Sequence, residues 1–250
     1  MIKAELLRLV STRLWLWSLL AAVLCGGGLV TLFAALGPEN VQPPMPALDT
    51  PEGVRSVLGV LTVTALVPAV IGTVAMTSEY RHRTITVTFL FAPRRWRILT
   101  AKLVAFAVAG VCYGLTVAVS AAVALFVQGA DFTVPLRLAA TMAIYMVLGV
   151  GVGALLRNQV AALAVVVGYL YFAELALLAI PGVNAVYPYL PGGATAALTD
   201  FGYIVDSLAE QTGQAGTALL SAPMGAMVLA SYALVACILA IMFPLRRDVT

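Results

Sequence analysis

Long apolar runs, separated by short polar or proline-containing stretches, dominate the pattern along this chain. Each run is close to the roughly 20 residues that an α-helix needs to cross the hydrocarbon core of a bilayer. The pattern therefore predicts an all-α membrane protein with a single transmembrane domain over residues 1–250. The six predicted transmembrane helices (spans) are 14–36, 56–78, 103–128, 135–156, 160–180 and 223–243.

Composition excludes a soluble globular domain. Hydrophobic residues make up 62% of the chain and charged residues only 10%, whereas about 25% of a soluble domain is charged. The three cysteines, Cys25, Cys112 and Cys237, each lie inside an apolar run. Their odd number and long spacing argue against a disulfide framework and against a zinc site.

The placement of basic residues predicts the orientation of the spans. With the N-terminus inside, only Arg55 and Arg137 of the 14 Lys and Arg residues fall on the outer side. An excess of Lys and Arg marks cytoplasmic connections. Both chain ends are therefore predicted to be cytoplasmic.

The segments outside the spans have patterns of their own. Residues 1–13 fit either an amphipathic helix on the inner membrane surface or a basic flank of the first span. The proline-rich segment 37–55 is predicted to be a non-helical outer loop, and Pro68 to kink the second span. Segment 181–222 carries Leu198, Phe201, Val205 and Leu208 at helical spacing, which predicts an amphipathic helix or a re-entrant hairpin at the outer surface.

A basic connection between the second and third spans, residues 79–102, holds six of the 14 basic residues. Its middle, from Ile85 to Phe91, is too apolar for a plain solvated loop. Apolar side chains surrounded by positive charge are typical of a protein-docking surface. A cytoplasmic partner is therefore predicted to bind here.

Glu174 is the one ionisable residue well inside a predicted span, and Tyr171, three residues earlier, can share its helix face. Such a residue can line a substrate path or a dimer seam. Alternatively, its carboxyl group is protonated, or bonded to a tyrosine or to the outer hairpin, because polar groups inside a membrane bundle are usually paired.

Motifs for enzymatic chemistry are missing from the sequence. It contains no GxxxxGK[ST], GxSxG or HExxH pattern, and its one histidine, His82, stands between two arginines. We therefore expect no catalytic, cofactor-binding or metal-binding residues, and no enzyme activity of the chain itself. Glycines one turn apart, Gly110 and Gly114 and then Gly149 and Gly153, favour close helix packing within one chain or across a homodimer.

Four sequences occur in this order: TSEYRHRTITVTFLFAPRRWRILTAKL, LLRNQVA, YLPGGA and the closing RRDVT. Together with six predicted spans, a proline-rich first outer loop and a long last one, they resemble the type-2 ABC exporter permeases of actinobacteria over essentially the whole chain. One departure is Arg83, which stands where that family usually has glycine and adds bulk and charge there.

The resemblance implies a coupling helix at about 84–97 that docks onto a separate cytoplasmic ATPase. Two ATPases, which bind ATP and Mg²⁺, would work with two permease chains, identical or different, in a bacterial plasma membrane. The residues assigned to ATPase docking are Arg83, Thr84, Ile85, Thr86, Phe89, Phe91, Arg94, Arg95 and Arg97.

The function expected from these features is a permease subunit that exports an amphiphilic drug-like, lipid or peptide cargo. One alternative is a membrane scaffold or immunity subunit that binds the ATPase without transport. Another is an ATP-independent channel or secondary transporter, which would need more polar residues inside the spans than Glu174 alone supplies.

Overall fold

A computed structural model describes residues 2–41, 44–82, 95–125, 133–180, 182–213 and 217–242. The described part is helical and contains no β-strand. Six of its helices are long and apolar enough to cross a membrane, which confirms the predicted all-α membrane fold. They run over Trp15–Leu36, Pro51–Arg81, Ile98–Ala124, Leu136–Leu156, Gln159–Ala179 and Ala222–Met242, and are called the first to sixth spans.

Three further helices in the described part of the chain do not span the bundle. Helix α1 (Ile2–Ser11) precedes the first span, and helices α2 (Pro191–Thr199) and α3 (Tyr203–Thr212) lie between the fifth and sixth spans. Short 3₁₀ segments occur at Pro38–Asn40 and Asn184–Tyr189.

The second span starts earlier than predicted. Segment 37–55 was expected to be non-helical, but the helix begins at Pro51, with Thr50 accepting a hydrogen bond from the Gly53 N–H at 3.1 Å. Proline is well suited to the first position of a helix, where no intrahelical partner for an N–H is required. The prediction was therefore wrong for the last five residues of that loop.

The third span is continuous with a longer helix, Arg95–Ala124. Arg95 and Arg97, predicted to belong to a separate coupling helix, thus lie at the start of the helix that forms the third span. Hydropathy identifies only the apolar part of a helix. A polar extension of the same helix gives no hydropathy signal, so the first residue of the helix cannot be placed from hydropathy.

Local irregularities interrupt three spans. The second tightens into a 3₁₀ segment at Leu61–Ala65, next to the predicted kink, where Pro68 provides no N–H for the Thr64 carbonyl. The first and fifth contain π-helical segments at Leu24–Gly28 and Gly168–Ala173. Such segments are single-turn irregularities that often occur at functional sites.

The fourth span lies at the centre of the bundle and packs mainly against the second, third and sixth spans. Its contacts are made at small residues. An ideal Cβ on Gly110 or Gly114 would stand 2.7 Å from the Ala143 Cα or 2.6 Å from the Ala139 Cα. Gly149 similarly lies directly against the Ala69 carbonyl of the second span. These glycines are therefore used for packing within one chain.

The segment between the fifth and sixth spans, called the outer hairpin after its predicted side, contains helices α2 and α3 joined by a short turn. Helix α2 is buried along almost its whole length and packs on the start of the sixth span, where Gly225 meets the Ala194 carbonyl. Asp200, with φ of 57°, ends helix α2 in the left-handed region. The predicted apolar face is confirmed at Leu198, Phe201 and Val205, which are all buried, although the two helices share it.

Candidate functional site

The predicted ATPase-docking surface falls largely outside the described residues. Arg83, Thr84, Ile85, Thr86, Phe89, Phe91 and Arg94 all lie in the segment 83–94, which is not described. Arg95 and Arg97 are placed only as helical backbone. The structure does describe what surrounds the two ends of this connection.

A cluster of four charged side chains joins helix α1 to both ends of the connection. Lys102, on the third span, lies with its Nζ 2.8 Å from Glu79 Oε1 on the second span and 3.0 Å from Glu5 Oε2 on helix α1. Arg8, also on α1, donates to the same Glu79 oxygen at 2.5 Å. Among the described residues, two acids and two bases thus pair with one another here.

This ion-pair cluster is buried at its centre. The side chains of Glu79 and Lys102 are each 3% exposed, and the Lys102 ammonium group also lies 5.6 Å from the centroid of the Phe106 ring. Burial removes both charges from water, so each depends on the other for compensation. Arg8 is 45% exposed and contributes less, because solvent screens it.

Sequence reasoning missed this cluster. It interpreted residues 1–13, which contain Glu5 and Arg8, as either an amphipathic surface helix or a basic flank of the first span, and it placed Lys102 in the basic connection. A signal was present, since Glu79 and Lys102 stand near facing ends of two antiparallel apolar helices. Neighbouring opposite charges at such positions are expected to pair.

The second polar site is at the opposite, predicted outer end of the bundle. Glu174, on the fifth span, is 2% exposed and accepts a hydrogen bond at 2.5 Å from the Gly192 N–H through Oε2. Gly192 lies in the first turn of helix α2, where backbone N–H groups have no partner within the helix. Of the predicted alternatives for Glu174, the bond to the outer hairpin is the one observed.

Gly192 lies directly against this carboxyl group. A Cβ on Gly192 would overlap Glu174 Oε2 and would stand 3.4 Å from the Tyr187 Oη. The other predicted member of this site, Tyr171, is placed as helix backbone only, and its side chain lies outside the described residues.

A cavity of about 120 Å³ lies beside the carboxyl group of Glu174, among the second, fourth and fifth spans and the outer hairpin. Its polar lining includes Tyr145, Tyr187 and Thr195, and the rest is mainly apolar. The Thr195 hydroxyl lies 2.8 Å from the Pro191 carbonyl and 3.1 Å from the Tyr145 Oη. The arrangement can hold a small polar group on an apolar body.

Tyr187 stays neutral at physiological pH. It lies in the 3₁₀ segment Asn184–Tyr189 and is 5% exposed. Burial raises the pKa of its phenol, and the nearby Glu174 carboxyl group raises it further. Tyr187 therefore presents a neutral hydroxyl group to the cavity.

Comparison with known proteins gives no assignment of the chain. No protein-family model matches it, and no curated protein matches it.

Proposed function

We propose that this chain is the permease subunit of an ATP-driven exporter, in which two permeases work with two copies of a cytoplasmic ATPase. The family resemblance of the sequence suggests this function. The observation that carries it furthest is the ion-pair cluster of Glu5, Arg8, Glu79 and Lys102, which ties helix α1 to both ends of the basic connection.

Such a cluster suits a chain that receives mechanical work from a partner. Movement of the connection 83–94 has to reach the spans for transport to occur. Glu79 lies in the last turn of the second span, and Lys102 in the second turn of the helix that starts at Arg95. Because these residues are paired and buried, the ends of both spans and helix α1 would move as one unit.

The channel or secondary-transporter alternative has little support in the described spans. Their buried threonines donate to carbonyls of their own helices, as Thr73 does to Ala69, Thr77 to Thr73 and Thr141 to Arg137. A conducting path needs polar groups that face a common lumen. The mainly apolar cavity at the outer end favours an amphiphilic cargo instead.

Co-purification from native membranes tests the proposal. We expect a nucleotide-binding ATPase to purify with the tagged wild-type chain. The triple variant Arg94→Glu, Arg95→Glu and Phe91→Asp should lose it, because apolar anchors and a charged rim both contribute to docking.

A matched variant makes the same changes at the other end. The variant reverses two charges, with Arg55→Glu and Arg137→Glu. It also replaces Val186, an apolar residue that is 52% exposed, with aspartate. This control should retain the ATPase. Absence of any ATPase from the wild-type preparation would contradict the exporter, and cargo-stimulated ATP turnover in liposomes separates export from a scaffold or immunity role.

A further inference from the structure

The carboxyl group of Glu174 has a hydrogen-bond partner on one side only. Oε2 accepts from Gly192, whereas Oε1 is fully buried and has no partner among the described residues. A buried acceptor without a partner is unfavourable, and such atoms are rare in folded proteins. Glu174 also lines the outer cavity.

The cavity offers this oxygen no positive charge. Its described lining contains aromatic rings, hydroxyl groups and aliphatic side chains but no Lys, Arg or His. The site thus has one acid and no base to balance it. A ligand that brings its own cation would supply what is missing.

Helix α2 holds one oxygen of this carboxyl group. Glu174 accepts its hydrogen bond in the first turn of a nine-residue helix, where the backbone dipole favours negative charge. This interaction fixes Oε2 in place. Oε1 is left as a positioned acceptor.

Two residues that line the cavity are exposed at the side of the bundle. They are Val63 of the second span and Leu175 of the fifth, and each is 41% exposed. Tyr145 and Tyr187 line the deeper part, and aromatic rings favour bound cations.

We propose that the outer cavity binds the protonated amine of a small cationic amphiphile, with an ammonium N–H donating to Glu174 Oε1 and the apolar body contacting the aliphatic and aromatic lining. The identification of this amphiphile as the transported cargo rests on the proposed function. The binding itself requires no ATPase.

Binding of tritiated benzylamine to the purified permease in nanodiscs, without ATPase, tests the site. Benzyl alcohol and benzoate are its neutral and anionic counterparts of similar shape. We expect saturable binding of benzylamine that excess unlabelled benzylamine displaces and benzoate does not. Glu174→Gln should weaken binding about 10- to 100-fold, because it removes a charge-assisted hydrogen bond.

Two further variants separate a lost site from a lost fold. Glu210→Gln removes an exposed acid on helix α3 that does not line the cavity, and it should bind benzylamine like the wild type. Thr62→Phe places a larger side chain at a half-buried position of the cavity lining and leaves Glu174 and Gly192 unchanged. It should weaken binding by filling part of the cavity. The elution volume in size-exclusion chromatography and the midpoint temperature of thermal unfolding report whether each variant is folded.

Three results would overturn the site: no saturable binding of benzylamine, equal binding by folded Glu174→Gln, or equal binding of benzoate. The exporter is tested separately by ATPase co-purification. If the ATPase co-purifies but benzylamine does not bind, the cation site alone is wrong. If benzylamine binds but no ATPase is found, the site stands and the exporter is wrong.

Discussion

Lys102 is a basic residue with 3% of its side chain exposed, and Glu5 and Glu79 compensate its charge. Removing one partner of a buried ion pair costs about 3–5 kcal/mol, because the other charge remains buried. We expect Lys102→Met to lower the free energy of unfolding by about 3 kcal/mol. Denaturant unfolding in detergent, followed by circular dichroism, measures this change.

Arg81→Met is the matched control, since Arg81 is an exposed base at the same end of the bundle. Its effect should stay within about 0.5 kcal/mol. Combining Lys102→Met with Glu79→Leu should cost clearly less than the sum of the two single changes, because neither of the two most buried charges of the cluster is left without the other. Additive losses would show that the two side chains are not coupled.

For single residues, the sequence shows which side chains are unusual for their surroundings. It is less informative about which groups those side chains contact. Glu174 was recognised because an acid inside an apolar run is conspicuous. Its partner is the backbone N–H of Gly192. A backbone donor is not marked by any particular residue type, so the sequence gives no sign of this hydrogen bond. The fold of the hairpin has to be known first.

Close contact between the second and fourth spans depends on Gly149, whose Cα faces the Ala69 carbonyl. An added Cβ would overlap this backbone oxygen, so the two helices would have to separate. We expect Gly149→Ala to lower the free energy of unfolding by about 2 kcal/mol, the usual cost of overpacking. Thermal unfolding in detergent, calibrated by denaturant titration, measures the loss.

Gly28→Ala provides the comparison. Gly28 lies in the π-helical segment of the first span, and an ideal Cβ there would have nothing within 4 Å. This substitution should be neutral or stabilising by up to about 1 kcal/mol, because alanine has the higher helix propensity. Equal losses at Gly149 and Gly28 would mean that close packing is not the cause.

The existence of the six spans was predictable, whereas the ends of their helices were less so. Apolar length follows directly from bilayer thickness, and each of the six predicted runs corresponds, in the described residues, to a helix long and apolar enough to cross a membrane. The early start at Pro51 was missed because the prolines before it suggested a loop throughout. The dipeptide Thr50–Pro51 is itself a helix-start signal, since threonine caps and proline follows at the first position.

At the scale of the whole molecule, the proposed function requires a second permease chain. We expect this second chain to contact the first and fifth spans. Only 17% and 18% of their apolar windows are buried, compared with 67% in the central fourth span. The fifth span packs against the second, whereas the first packs mainly against the third. A second copy would cover apolar faces that a single chain leaves exposed.

Cysteine cross-linking in membranes tests this arrangement in a variant whose three native cysteines are replaced by alanine. Phe172 of the fifth span is 72% exposed, and Met227 of the sixth span is 63% exposed, so the two positions are similarly accessible. We expect Phe172→Cys to give a covalent dimer on mild oxidation, because a symmetric interface brings the same residue of both copies together near its axis. Met227→Cys should remain monomeric. Equal cross-linking at both positions would indicate random collision, and a dimer from Met227→Cys alone would place the interface on the sixth span.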